Sequence, residues 1–188
     1  MKTATEILRQ EHDAILRMLD ATEEVARRLG NRESVEPQVL EHLLEFFRLF
    51  ADRCHHGKEE DLLFPLLEKK GMPRGGGPIG VMLMEHDHGR GLIGQMASAG
   101  EEYATGDSSA GLRWAAAAAD YVELLREHIA KENEVLFVMA ERMLTPAEQQ
   151  ELAVAFERNE TEKMGAGTHE RLHAMIDKLV AELQPANR

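Results

Sequence analysis

The sequence carries a single cysteine, Cys54, among its 188 residues, which excludes an internal disulfide framework and fits a reducing compartment. The lack of clustered cysteines also argues against a structural zinc or iron–sulfur site. No run of 18 apolar residues occurs, so no segment is a candidate membrane helix. The N-terminal MKTATEILRQEHD becomes charged too soon for a signal peptide, and a soluble cytoplasmic protein is expected. Positive charge is scarce: 22 Lys and Arg face 34 Asp and Glu, for a formal charge of −12. That balance repels nucleic acid and anionic lipid, so neither is an expected partner. Nothing in the sequence speaks to oligomeric state.

What is present is helix. Segments rich in Ala, Leu, Glu, Arg and Met carry apolar residues at spacings of three and four, and no convincing strand interrupts them, which predicts an all-α fold. Thr3 with Glu6 forms a capping box ahead of Ile7, Leu8, Ile15, Leu16 and Leu19, and Gly30-Asn31 stops that helix. A second helix opens near Ser34, with Pro37 in its first turn, and runs toward Lys70. The stretch GMPRGGGPIG, residues 71 to 80, breaks the chain. A third helix reaches about Tyr103, and a fourth runs from about Ser108 to Met143. Thr145, Pro146 and Glu148 then start another, Gly165 and Gly167 end it, and Thr168 caps a last amphipathic helix through Leu183. Four long helices over residues 1–144 and a C-terminal helical pair over 145–188, packed on the first unit, are the expected organisation.

Two apparent motifs carry no chemistry. Gly75, Gly77 and Gly80 match GxGxxG, but a nucleotide-binding loop needs a strand before it, and here a helix precedes and Pro78 intervenes. The run AAAAAD at 115 to 120 predicts close helix approach only.

The informative feature is a duplication. QEHDAILRML, residues 10 to 19, aligns with MEHDHGRGLI, residues 84 to 93, and places His12 on His86. HHGKEEDLLF, residues 55 to 64, aligns with HIAKENEVLF, residues 128 to 137. There His55 falls on His128, Lys58 on Lys131, Glu59 on Glu132 and Phe64 on Phe137. His55 with Glu59 and His56 with Glu60 are both spaced for one helical face, but His56 falls on Ile129 and Glu60 on Asn133. The repeat therefore selects His55 and Glu59, and leaves His56 and Glu60 as a partly exposed flank unless the helix is rotated from this register.

Reduced to ligand types, the chain reads His12, His55-x3-Glu59, His86, His128-x3-Glu132. Two such half-sites suit a two-metal centre inside a four-helix bundle, and four imidazoles with two carboxylates suit iron or manganese. If both carboxylates bridge, each metal gains two nitrogen and two oxygen ligands, with room left for a small ligand.

This series, with HHGKEEDLLFP and EHDHGR, resembles the hemerythrin-like (HHE cation-binding) domain over roughly residues 4 to 143. The resemblance implies an up-down-up-down four-helix bundle holding two Fe ions as an oxo-bridged di-iron centre. It further implies His12, His55, His86 and His128 as terminal ligands and Glu59 and Glu132 as bridges. In the oxygen-carrying members a further histidine follows the third-helix ligand by four residues; here that position is Arg90, which cannot ligate a metal. Its loss opens the second iron in this reading and favours reaction with O2, peroxide or nitric oxide, in an oxidative or nitrosative stress role, over oxygen carriage. The alternative is an oxygen or iron sensor without turnover, its C-terminal helices reporting occupancy to a partner.

Other residues have smaller expected roles. Glu85, beside His86, is a candidate catalytic acid or base at the mouth of the site, and Glu11 matches it. His88 and His42 are expected to be ordinary helical residues, Cys54 a packed thiol, and Met82, Met84 and Met96 core fillers. His169 and His173 are spaced for a second site but lack a repeat partner. The Glu85–His88 and Glu170–His173 pairs match the Glu-x-x-His of ferritin-like bundles, yet choosing them leaves the duplicated residues unexplained.

Overall fold

In the computed structural model, which describes residues 2–165 and 167–183, the chain forms an all-helical bundle with no strand among the described residues. Six helices are defined among the described residues. Helix α1 is Ala4–Gly30; α2 spans 37–69; α3 is Pro78–Ala104; α4 spans 108–143; α5 is Pro146–Met164; α6 is Thr168–Leu183. None is long and apolar enough to cross a membrane.

The predicted start signals act as expected. At both Thr3 and Thr145 the hydroxyl accepts the backbone N–H three residues on, while Glu6 or Glu148 accepts from the threonine N–H. Each such box is worth about 1 kcal/mol. Helix α4 starts at Ser108 as expected and is capped by Asp107, which accepts from the Ser109 N–H at 2.9 Å. The second helix begins at Pro37, three residues later than Ser34, because Pro37 suits a first helical position and biases the residue before it toward extended backbone. At the far end of α2, Gly71 sits at φ +102°, a conformation that favours glycine and turns the chain away.

One feature was not visible as periodicity. Helix α2 is α-helical over Pro37–Phe46, π-helical over Phe47–His56 and again over Glu59–Leu63, and α-helical over Phe64–Lys69. Helix α4 is α-helical over Ser108–Lys131, π-helical over Glu132–Leu136 and α-helical over Phe137–Met143. The short π segments after Glu59 and Glu132 are repeat equivalents. The longer one, which ends on His56, occurs only in α2. Wider π turns change the direction of every side chain that follows and concentrate at functional sites.

Helix α4 lies against α1 and α3, and α2 lies against α3 and α1. Helix α5 packs on α1 and on both π segments of α2, and α6 packs on α1 and α2. The apolar interior is divided in two. One cluster includes Ile15, Met18, Phe47, Phe50, Trp114 and Tyr121, and Leu172, Ile176 and Leu179 of α6 join it. The other includes Leu8, Phe64, Met82 and Phe137, with Leu152 and Phe156 of α5. Both C-terminal helices thus complete the core. Along AAAAAD, Ala115, Ala117 and Ala118 are buried where α4 meets its neighbours.

Candidate metal centre

A polar layer separates the two apolar clusters. It is made by His12 on α1, His55, His56 and Glu59 on α2, His86 on α3, and His128 and Glu132 on α4, all buried. Burying so many ionisable groups is costly unless they are paired or hold a cation.

The six residues selected by the duplication converge. His12 Nε2 lies 3.0 Å from His55 Nε2, and His86 Nε2 lies 3.1 Å from His128 Nε2. The opposite nitrogen of each ring meets an oxygen outside the layer. Nδ1 of His12 is 3.0 Å from Asn133 Oδ1, that of His55 2.8 Å from Glu11, that of His86 2.7 Å from Glu60 and that of His128 2.9 Å from Glu85. Those oxygens accept from Nδ1, so each Nε2 faces the layer, where a neutral ring would present its lone pair. Metal-binding histidines are oriented in this way by outer carboxylates and carbonyls.

The carboxylates span the halves. Glu132 places one oxygen 3.0 Å from His12 Nε2 and the other 3.2 Å from His128 Nε2. Glu59 places its oxygens 3.8 Å from His55 Nε2 and 3.5 Å from His86 Nε2. All four of these oxygens are buried without a hydrogen-bond partner. Inward lone pairs and unpartnered carboxylate oxygens repel one another unless a positive charge lies among them. Two nitrogens 3.0 Å apart also have the spacing of adjacent octahedral positions at metal–nitrogen bonds of about 2.1 Å. The donor set fits metal ions of octahedral preference.

Protons relieve part of this crowding. Burial and the adjacent Glu132 push the Glu59 carboxyl well above the usual carboxylate range. Burial acts on Glu132 in the same direction, but His128 and His12 beside it hold it well below that range. Burial pushes His55 down to about 4. Burial also disfavours the His128 imidazolium, yet Glu132 and Glu85 hold it up to about 9.

His56 departs from its expected place as a flank. It is buried, and its ring stacks on His86 with centroids 3.8 Å apart and planes 17° apart. Ligand atoms of His56, Glu59, His86 and His128 all lie within 4.8 Å of one another, as do those of His12, His55, Glu59 and Glu132. The repeat failed here because it compares sequence positions, whereas the extra π segment of α2 alters direction. A pair of adjacent histidines in one ligand helix was the only signal. Glu60 does remain half-buried at the flank, where it accepts from His86 and from Arg90 at 2.7 Å. Burial raises its pKa, but His86 and Arg90 hold it down to about 2.

Glu85 also differs from a free acid or base. It accepts from His128 Nδ1 and from Lys131, and Glu11 likewise accepts from His55 Nδ1 and Lys58. Arg90 points away from the layer and bonds Asp52, Glu60 and Asp87. A cavity of about 200 Å³, lined in part by Phe47, His56, Glu85, His86, Arg90 and Tyr121, reaches the layer at the His56–His86 side.

The remaining assignments are mixed. His88 is exposed and His42 half-buried. Met82 and Met96 are core residues, but Met84 is 64% exposed; two residues from Met82 on a helix lies on the opposite face. Cys54 is buried, and burial pushes its thiol up to about 12. Glu11, Cys54 and Glu160 also cluster, but the ammonium of Lys58 fills that space, donating to Glu11 and, at 2.8 Å, to Glu160. His173 packs edge-on against Phe50 at 5.5 Å, while the side chains of His169 and Glu170 lie outside the described residues.

A helical bundle with a buried His/Glu layer defines a metal-binding helical protein. Residues 3–140 match the hemerythrin HHE cation binding domain, and the chain belongs to that family. It is also similar to uncharacterized proteins of Mycobacterium bovis and Mycobacterium tuberculosis. Each is 28% identical over 182 residues, which cover 97% of this chain and 69% of the relative. No solved structure matches.

Proposed function

We propose that the chain is a non-haem di-iron protein that binds or reacts with O2, peroxide or nitric oxide, in the cytoplasm, as part of an oxidative or nitrosative stress response. The observation that carries the reading is the set of four Glu59 and Glu132 oxygens, buried without hydrogen-bond partners among inward imidazole nitrogens. In this reading His12, His55, His86 and His128 hold the two ions and Glu59 and Glu132 join them across an up-down-up-down four-helix bundle. Residues 1–144 form that bundle and 145–188 an extension packed on it. Manganese shares the ligand preference.

Bound iron supplies redox chemistry and polarises a small ligand. The protein supplies orientation and exclusion of water. Glu11 and Glu85 fix the ring positions of His55 and His128, and Phe47 and Tyr121 line an approach with apolar surface. Glu85 then acts through His128 as a positioning residue. The formal charge of −12 keeps nucleic acid out of the reading.

One observation favours the sensing alternative. Glu160 on α5 bonds Lys58, Lys58 bonds Glu11, and Glu11 bonds His55, so the C-terminal extension touches the layer through a chain of charged hydrogen bonds. Reconstitution with ferrous iron followed by peroxide addition separates the two. Peroxide consumption over many turnovers with iron retained supports the reactive reading. A change in protease protection of residues 145–183 upon oxygen or iron binding, without turnover, supports the sensor.

A further inference from the structure

We infer that His56 is a third imidazole ligand on the His86/His128 side, so that the two metal positions are unequal; the inference rests on the di-iron reading above. Three independent features of the chain converge on it.

The first is placement. His56 is buried, lies in the same four-donor group as Glu59, His86 and His128, and has no counterpart at Ile129, which belongs to the apolar cluster. The π segment Phe47–His56 brings two adjacent imidazoles into the layer, His55 toward His12 and His56 toward His86.

The second is the outer partner. Nδ1 of His56 is buried without a hydrogen bond and faces Asp52 Oδ1 at 3.5 Å. A shift of a few tenths of an ångström makes that contact a hydrogen bond. His56 then repeats the arrangement of His12, His55, His86 and His128: Nδ1 on an outer oxygen, and the other nitrogen free for an ion.

The third is Arg90. It stands one turn after His86 and donates to Asp52 at 2.8 Å and to Glu60 at 2.7 Å, the carboxylates that face His56 and His86. Arginine there does not ligate. It holds the outer partners of two rings, and the imidazole absent from position 90 is supplied by α2. Counting donors, the His86/His128 position has three nitrogens plus the spanning carboxylates, and the His12/His55 position has two.

The test is Mössbauer spectroscopy with metal analysis on protein reconstituted with iron-57, for wild type, His56→Gln and Asp52→Asn. The wild type is expected to hold two irons with two unequal quadrupole doublets. His56→Gln is expected to bind the second iron at least 10-fold more weakly or, when saturated, to give nearly equal sites; Asp52→Asn is expected to weaken it by about 10-fold. A single symmetric doublet in the wild type would overturn the inference whether or not the variants fold. An unchanged spectrum and iron content in folded His56→Gln would overturn it as well, while leaving the di-iron reading standing. A folded wild type that takes up no iron sinks both.

Discussion

Helices α2 and α4 descend from one pattern, and their comparison separates what duplication preserves from what it lets diverge. Both carry His-x3-Glu, both place a lysine three residues after that histidine, and both widen into a π turn at the glutamate. They differ just before it. In α2 a second π segment brings His55 and His56 into the polar layer, whereas α4 remains α-helical, sends His128 inward and leaves Ile129 in apolar packing. The outer partners diverge too. Glu60 stands behind His86 where Asn133 stands behind His12. A charged carboxylate raises ligand basicity more than a neutral amide does, so the halves differ in backbone register and in electrostatics although their six matched residues are the same types.

The largest expected effect treats the halves as equal. Glu59→Ala and Glu132→Ala each remove a carboxylate that touches both sides, so each is expected to abolish binding of the metal pair, read as metal per chain after reconstitution. Loss of one ion alone would show that the carboxylates do not span.

The lysines separate the halves. Lys58 is 1% exposed and lies between Glu11 and Glu160, whereas Lys131 is 38% exposed. Lys58→Ala leaves buried carboxylate unpaired and is expected to cost about 3 kcal/mol or more; Lys131→Ala is expected to cost under about 1 kcal/mol. Urea unfolding of both variants checks the order, and equal losses would break the comparison.

A smaller effect asks whether register or residue type creates the extra imidazole. Ile129→His restores sequence symmetry, but on an α-helical stretch the ring enters the apolar cluster. About 1–3 kcal/mol of destabilisation with no change in metal environment is expected, from thermal melts and iron spectra. A new nitrogen ligand would show that the π segment is not what matters. Smallest of all, Asn133→Asp gives His12 a charged outer partner. It should tighten the His12/His55 position by less than about 10-fold, measured by chelator competition.

Much of this was legible in the sequence. The capping boxes at Thr3 and Thr145 set two helix starts, and matching His12 with His86 and His55 with His128 brought six residues to one layer. Glu11 and Glu85 stand out in the sequence as a matched pair, but their contacts with His55 and His128 depend on how the helices meet. Periodicity puts His56 at a flank for a physical reason: hydrophobic and ligand spacing assume a constant turn, and a π segment changes it without a marker in composition. Residue type groups Met84 with Met82, although helical geometry separates them. In the sequence Arg90 reads only as a missing ligand. Its bonds to Asp52 and Glu60 depend on how α2 and α3 meet, which no local pattern encodes.

The most direct test of the central claim is anomalous diffraction at the iron edge from crystals of the iron-reconstituted protein. Two peaks are predicted, one among His12, His55, Glu59 and Glu132 and one among His56, Glu59, His86 and His128. A folded chain with no peak in that layer, or with iron only elsewhere, would contradict the account.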